Sequence, residues 1–220
     1  MRPNLKEKII LTAILLFMKN GYENTTMRQI AKELDLAVGN VNYYFPKKEE
    51  IVKEYHNNVV ESFLEKVIEK SFHKNPWITF FACESSFMAY IATNSYVKEL
   101  YASFTKVPAL RDFYVQRHIE LFKSIFYEQL PANDENIQKA VLAGSTLEFE
   151  MISRYEFTNE SLEELLIKVF KVQLLFLNLD VDEYKNEIEK GIKEGKSYLE
   201  TLNVPINETV FLRSSKFNKE

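Results

Sequence analysis

Asn24–Phe45, NTTMRQIAKELDLAVGNVNYYF, decides how the rest of this chain is read. Thr26 followed by Gln29 is a capping-box pattern, in which a hydroxyl and an amide three residues apart satisfy each other's free backbone N–H groups at a helix start. The spacing predicts a helix over about Met27–Leu34, with Ile30, Ala31 and Leu34 facing inward. Asp35–Leu36–Ala37 makes a turn, and a second short helix covers about Val38–Tyr44. In it only Val41, with Phe45 just beyond, has an inward role. The remaining positions carry Gly39, Asn40, Asn42, Tyr43 and Tyr44, where a buried helix would carry apolar residues. The stretch is a helix-turn-helix whose second helix is built to lie against something polar outside the protein.

Working outward, Asn4 and Glu7 form another capping box, and the helix they start runs to about Asn20. Ile10, Ala13 and Phe17 share its inner face, and Gly21 is placed to end it. Three helices with one apolar face each make a minimal core. Pro46 stands at the start of a long helix, where its missing N–H costs nothing. Ile51, Val52, Tyr55, Val59, Val60, Phe63, Leu64, Val67 and Ile68 keep a helical stripe to about Phe72. Further helices are expected over Pro76–Thr93, Tyr96–Thr105, Pro108–Leu130, Asp134–Phe157, Ser161–Leu179 and Asp182–Leu202. The tail Asn207–Glu220 has no clear period. The chain therefore reads as all-α. Residues 1–46 form a three-helix helix-turn-helix domain, 47–204 a larger helical domain, and 205–220 a loose tail.

Composition agrees and excludes several classes. Of 220 residues, 46% are hydrophobic and 14% aromatic, which supports a packed core, while five Gly and six Pro leave few places to turn a strand-rich chain. One cysteine, Cys83, rules out an internal disulfide and a Cys-based zinc site. No leader-like segment and no apolar run long enough to span a membrane is present, so a cytoplasmic protein is expected. Residues 1–56 hold nine Lys/Arg against seven Asp/Glu, while the remainder is acidic, so the positive end coincides with the helix-turn-helix.

The order Gly21, Thr25-Thr26, Ile30-Ala31, Leu36, Gly39, Val41, Tyr43, Phe45, Lys48-Glu49-Glu50-Ile51 resembles the DNA-binding domain of the TetR family. The likeness covers about the first 55 residues. It implies a transcriptional regulator, expected to be a repressor, that binds a palindromic operator in double-stranded DNA as a homodimer and is released by a small molecule. The residue chemistry fits. Gly39 lets backbone approach a base pair, Asn40 and Asn42 offer the donor–acceptor pair suited to adenine, and Val38 suits a thymine methyl. Thr26, Arg28, Tyr43, Tyr44 and Lys48 are candidate phosphate contacts, and the resemblance makes Thr26, Tyr43, Tyr44 and Lys48 backbone clamps. Asp35, Ala37 and Val38 depart from the family's more polar or basic habit around the turn, which bears on sequence preference.

The body carries two further expectations. The run 161–179 ends nearly apolar all round, and Ala140, Ala143 and Gly144 on the preceding helix are small enough for close approach. Such a helix is either buried twice within one chain or lies at a homodimer interface; the interface reading names Ala140, Ala143, Gly144, Leu166, Phe170, Leu174 and Leu177. The aromatic-rich middle suits an unidentified small hydrophobic ligand, with Phe87, Tyr90, Phe104, Phe113, His118, Phe122, Glu148 and Tyr155 as the candidate lining. Glu148 and Glu150 are two apart, so at most one of them faces a pocket. No metal and no cofactor is expected. Cys83, His56, His73 and His118 fall on separate elements without a nucleophile or phosphate-loop motif, so an enzyme is not expected. The competing class is a helical protein-interaction adaptor without an effector ligand.

Overall fold

The computed structural model describes residues 4–71, 75–93, 95–127, 131–154 and 160–202, with side chains for these except 60–71, 95, 96, 152–154 and 199–202. The regular elements among them are all helical. They are α1 (Leu5–Asn20), α2 (Met27–Glu33), α3 (Val38–Tyr44), α4 (Lys48–Ser71), α5 (Pro76–Thr93), α6 (Ser95–Lys106), α7 (Pro108–Ile125), α8 (Asp134–Arg154), α9 (Leu162–Phe176) and α10 (Lys185–Leu202), with a 3-10 turn at Val181–Tyr184 before α10. None of the described helices is long and apolar enough to cross a membrane. The chain packs as two compact units, one running to Ser62 and the other spanning Phe63–Leu202.

The first unit is set by its helix ends. Asn4 Oδ1 accepts from Glu7 N and Glu7 Oε2 accepts from Asn4 N, both at 2.9 Å, so α1 starts on the capping box its sequence predicts. It buries Ile9, Ile10, Ala13, Ile14 and Phe17 and stops at Gly21, whose φ of 83° suits glycine. Thr25 is buried, its hydroxyl 2.9 Å from Gly21 O and 3.2 Å from Leu16 O, which fastens the connection to α2. At the end of α2, Leu36 N donates to Ala31 O and Asp35 N to Lys32 O, with Asp35 at φ 54°. That bond pair is a Schellman motif with aspartate in the left-handed position glycine usually takes. Ile30, Ala31, Val41 and Phe45 close the core with Ile51, Val52, Tyr55 and Val59 of α4. The helix begins at Lys48, two residues after Pro46.

The second unit is organised around α5. Every residue from Trp77 to Ile91 is buried, as expected for a helix that is apolar nearly all round. Its closest neighbour is α10, where glycine is required: a Cβ on Gly191 would sit 2.4 Å from Phe81 Cβ, and one on Gly195 would sit 2.7 Å from Ala82 O. Ser86 Oγ lies 2.7 Å from Ala82 O and 3.1 Å from Gly195 O, tying the two helices where they touch. Cys83, the single cysteine, is buried on α5 in a cluster with Ala82 and Tyr198 against half-buried Ile125.

Two helices are shorter than their periodicity predicts. α7 ends at Ile125, and Phe126 stacks with Phe122 at 4.6 Å and packs on Trp77 at 4.6 Å. α9 stops at Phe176 because Asn178 takes φ 60°, with Leu179 N donating to Leu174 O and Asn178 N to Leu175 O in a second Schellman motif.

Candidate functional site

The exposed face of the helix-turn-helix gathers most of the residues picked out for DNA. Arg28, Gly39, Asn40 and Asn42 are exposed, and Val38 is half-buried. Tyr43 is 83% and Tyr44 39% exposed, with their rings edge to face at 5.3 Å. Large aromatic surface left in water beside two asparagines is unusual for a packing helix. No heavy atom lies within 4 Å of a Cβ built on Gly39. Two of the candidate clamps already have partners within the chain. Thr26 Oγ1 lies 2.9 Å from Gln29 Oε1 and accepts from Gln29 N at 3.3 Å, so its hydroxyl belongs first to the α2 cap. Lys48 Nζ donates to Tyr22 O at 2.7 Å and Thr25 O at 3.2 Å, and stands 4.1 Å from the Tyr22 ring centroid. An ammonium has three N–H groups, so one is left for a phosphate while the other two hold α4 to the α1–α2 connection.

The second unit holds a polar centre in its core. Glu84 on α5, His118 on α7 and Glu148 on α8 are all buried. His118 Nδ1 is 3.2 Å from Glu84 Oε1, and the Tyr114 hydroxyl donates to Glu148 Oε2 at 3.3 Å. The Tyr114 ring lies 4.0 Å from the His118 ring, with Phe104 at 5.7 Å and Phe149 at 4.6 Å closing the far side. Burial, reinforced by the Glu84 charge, pushes Glu148 up to about 8, so it holds its proton at neutral pH. Burial works against a charge on His118, but the Glu84 carboxylate outweighs it and raises the imidazole above its ordinary value. Burial, then the Glu148 charge, holds the Tyr114 phenol well above its usual range. Glu84 Oε2 and Glu148 Oε1 are buried without a hydrogen-bond partner outside the pair.

Of the candidate ligand lining, Phe87, Phe104, His118 and Glu148 come together at this centre, with Phe87 6.2 Å from His118. Tyr90 is buried on the same helix as Phe87. Phe122 belongs to a different cluster with Trp77, Phe80 and Phe126. Phe113 is half-buried, Glu150 is exposed, and Tyr155 lies outside the described residues. Glu84 was not among the residues the sequence singled out. Its signal was the polar run Glu84-Ser85-Ser86 inside an otherwise apolar helix.

The residues named for a dimer interface are already covered. Ala140, Gly144, Leu166, Phe170, Leu174 and Leu177 are buried within the single chain, and Ala143 is half-buried. The small residues on α8 serve a contact with α9: a Cβ on Gly144 would sit 2.3 Å from Gln173 Nε2. Among the described side chains of these two helices, the large apolar ones that stay open are Leu142 at 50%, Leu175 at 63% and Phe176 at 45%.

With this geometry in view, residues 9–55 match the family described as bacterial regulatory proteins, tetR family. The chain is 38% identical over 60 residues to the probable HTH-type transcriptional regulator YttP of Bacillus subtilis (strain 168), covering 26% of this chain and 29% of that one. It is 44% identical over 54 residues to the HTH-type transcriptional regulator QacR of Staphylococcus aureus, covering 24% of this chain and 29% of that one. A longer and weaker match, 22% over 126 residues, is to the biofilm operon icaADBC HTH-type negative transcriptional regulator IcaR of Staphylococcus epidermidis, covering 57% of this chain and 67% of that one. The matched part thus spans under a third of YttP and of QacR. The N-terminal helix-turn-helix carries both the family match and the exposed asparagine–tyrosine face, and in this part the chain is similar to the tetR family of bacterial regulatory proteins.

Proposed function

We propose that this chain is a ligand-responsive transcriptional repressor that binds a palindromic operator as a homodimer. The observation that carries the reading is the face of α3. Gly39, Asn40, Asn42, Tyr43 and Tyr44 stay open to solvent within the domain that matches the tetR family. Asn40 and Asn42 read base edges, Gly39 allows close approach, and Arg28, Tyr43, Tyr44 and the free N–H of Lys48 bind phosphates. The partner subunit supplies a second α3, and two-fold protein symmetry demands a two-fold operator. The self-contact is assigned to the open apolar stripe Leu142, Leu175 and Phe176, whose exposure is hard to explain in a lasting monomer. Support for repression comes from IcaR, which is named a negative regulator. The effector is a small hydrophobic molecule taken up among the aromatic side chains of the second unit.

The test is selection of bound duplexes from random DNA, followed by affinity measurements at several salt concentrations. The expected result is an inverted repeat with adenine in each half-site. Asn40→Ala then weakens specific binding by roughly 1–3 kcal/mol while non-specific binding is nearly unchanged. Equal loss on both kinds of DNA removes the base-reading role. Absence of any salt-dependent duplex binding favours a helical interaction adaptor instead.

A further inference from the structure

The Glu84–His118–Glu148 centre has a property that DNA binding does not use. One donor atom from each of the three side chains lies within 4.8 Å of the other two. The three sit on α5, α7 and α8, so tertiary packing alone brings them together. Glu84 gives Oε1 to His118 and Glu148 accepts from Tyr114 on Oε2; the remaining oxygens, Glu84 Oε2 and Glu148 Oε1, find no partner outside the pair, where the Glu148 proton hydrogen-bonds one carboxyl to the other. Glu84 and Glu148 are each 1% exposed, so water does not meet this need at the surface. Buried polar groups are rarely left unsatisfied, and leaving one so costs about 1–3 kcal/mol, more for a charged group. Without that one shared proton both carboxyls are left bare beside an imidazole, a set that a cation taking the proton's place would satisfy.

The chemistry of the set narrows the cation. One imidazole nitrogen with two carboxylates suits divalent zinc, manganese or iron. Calcium and magnesium take all-oxygen sets, and copper(I) wants sulfur. The Cys83 thiol packs with Tyr198 and Ile125 in a separate cluster, so it does not alter this choice. Two carboxylates also balance a divalent charge, leaving a neutral centre in a core where unbalanced charge is costly. Ligand bonds of about 2.1 Å place two donors at most about 4.2 Å apart across an ion. The observed spacing therefore needs only a slight contraction of the three side chains. Tyr114, held against Glu148, has the place of an outer partner that orients a ligand.

We propose that Glu84, His118 and Glu148 bind one divalent first-row transition-metal ion in the core of the second unit, with Tyr114 orienting Glu148. The full chain, stripped with a chelator and free of DNA, is dialysed against zinc and its metal content measured. One equivalent per chain is expected. Glu84→Gln, His118→Gln and Glu148→Gln each weaken binding at least ~10-fold, Tyr114→Phe weakens it by about 10-fold, and His73→Gln leaves it unchanged. Zinc raises the unfolding temperature of the native chain and not that of the three ligand variants. Less than stoichiometric zinc, or zinc insensitive to all three substitutions, overturns the proposal. Should those variants fail to fold by circular dichroism, cobalt(II) on the native chain decides. Visible ligand-field bands saturating at one equivalent support the site, and their absence overturns it. Because no DNA is present, a negative result here leaves the operator reading untouched, and the reverse holds.

Discussion

A methyl group added at Gly39 meets no heavy atom of the chain within 4 Å. Inside the protein Gly39→Ala is therefore harmless, and it gains up to ~1 kcal/mol of helix propensity. If α3 lies against DNA, the same methyl intrudes on the closest approach. The expected outcome is an unfolding temperature equal to or above that of the parent, with weakened specific duplex binding in a gel-shift or anisotropy titration. Unchanged affinity would mean that nothing comes close to this backbone. Glu148 supports a prediction of another kind. Its carboxyl is raised by burial to about 8 in the folded chain, against the ordinary value of 4.5 in the unfolded one. The folded state thus holds a proton that the unfolded state has lost between these values. In metal-free buffer this contribution to stability is fully present below pH 4.5 and is lost as pH rises toward 8, with a slope of at most about 1.4 kcal/mol per pH unit. Glu148→Gln, which mimics the protonated acid, flattens this dependence in denaturant titrations across the same range. A parent chain with no loss of stability over that range would contradict the assigned protonation.

Among the elements, the α5–α10 contact sets the second unit, and glycine sets the contact. A Cβ on Gly195 would stand 2.7 Å from Ala82 O and 3.0 Å from Ser86 N, both backbone atoms that no rotamer change can move aside. The clash, typically about 1–3 kcal/mol, outweighs the ~1 kcal/mol that alanine gains in a helix. Gly195→Ala accordingly lowers the unfolding temperature, whereas at Gly39 the same change does not. The ends of α2 and α9 reverse the logic. Asp35 and Asn178 take positive φ without being glycine, and Asn178→Gly should stabilise slightly, by a few tenths of a kcal/mol. These positions show what the sequence could reveal. Capping boxes at Asn4 and Thr26 and the glycine stop at Gly21 are local, and each was legible from spacing and then found in place. The open face of α3 was legible for the same reason, since one short helix carries all of it. Early endings of α7 and α9 were not, because apolar residues recur past both ends, at Phe126, Tyr127 and Leu130 and at Leu177 and Leu179, and the end is fixed by Phe126 packing on Trp77 and by the Asn178 turn. The buried centre was legible only in part. His118 and Glu148 stood out as polar residues among aromatics, but Glu84 lies on a helix buried on all sides, where periodicity marks no special face.

For the molecule as a whole, the self-contact proposed through the open apolar residues on α8 and α9 can be tested by its state in solution. Leu175 is 63% exposed and contributes little to its own chain, so Leu175→Glu is expected to leave folding intact and to charge the self-contact. Sedimentation should change from about twice the 25.9 kDa chain mass to that mass, and operator affinity should fall with it, since each α3 reads only a half-site. A parent chain that sediments at 25.9 kDa would remove the dimer. The single cysteine gives a route to the internal motions of the second unit. Cys83 is buried on α5, and burial, helped by the neighbouring Glu84 charge, raises its thiol well above the ordinary value. Thiolate is the nucleophile toward alkylating reagents, so the folded chain is protected twice, by lack of access and by lack of ionisation. Labelling then proceeds only through opening of the helices around α5. With reclosing faster than alkylation, the labelling rate divided by that of the unfolded chain is the equilibrium constant for that opening. One native atom thus serves as a built-in clock for breathing of the second unit, with no tag or added probe.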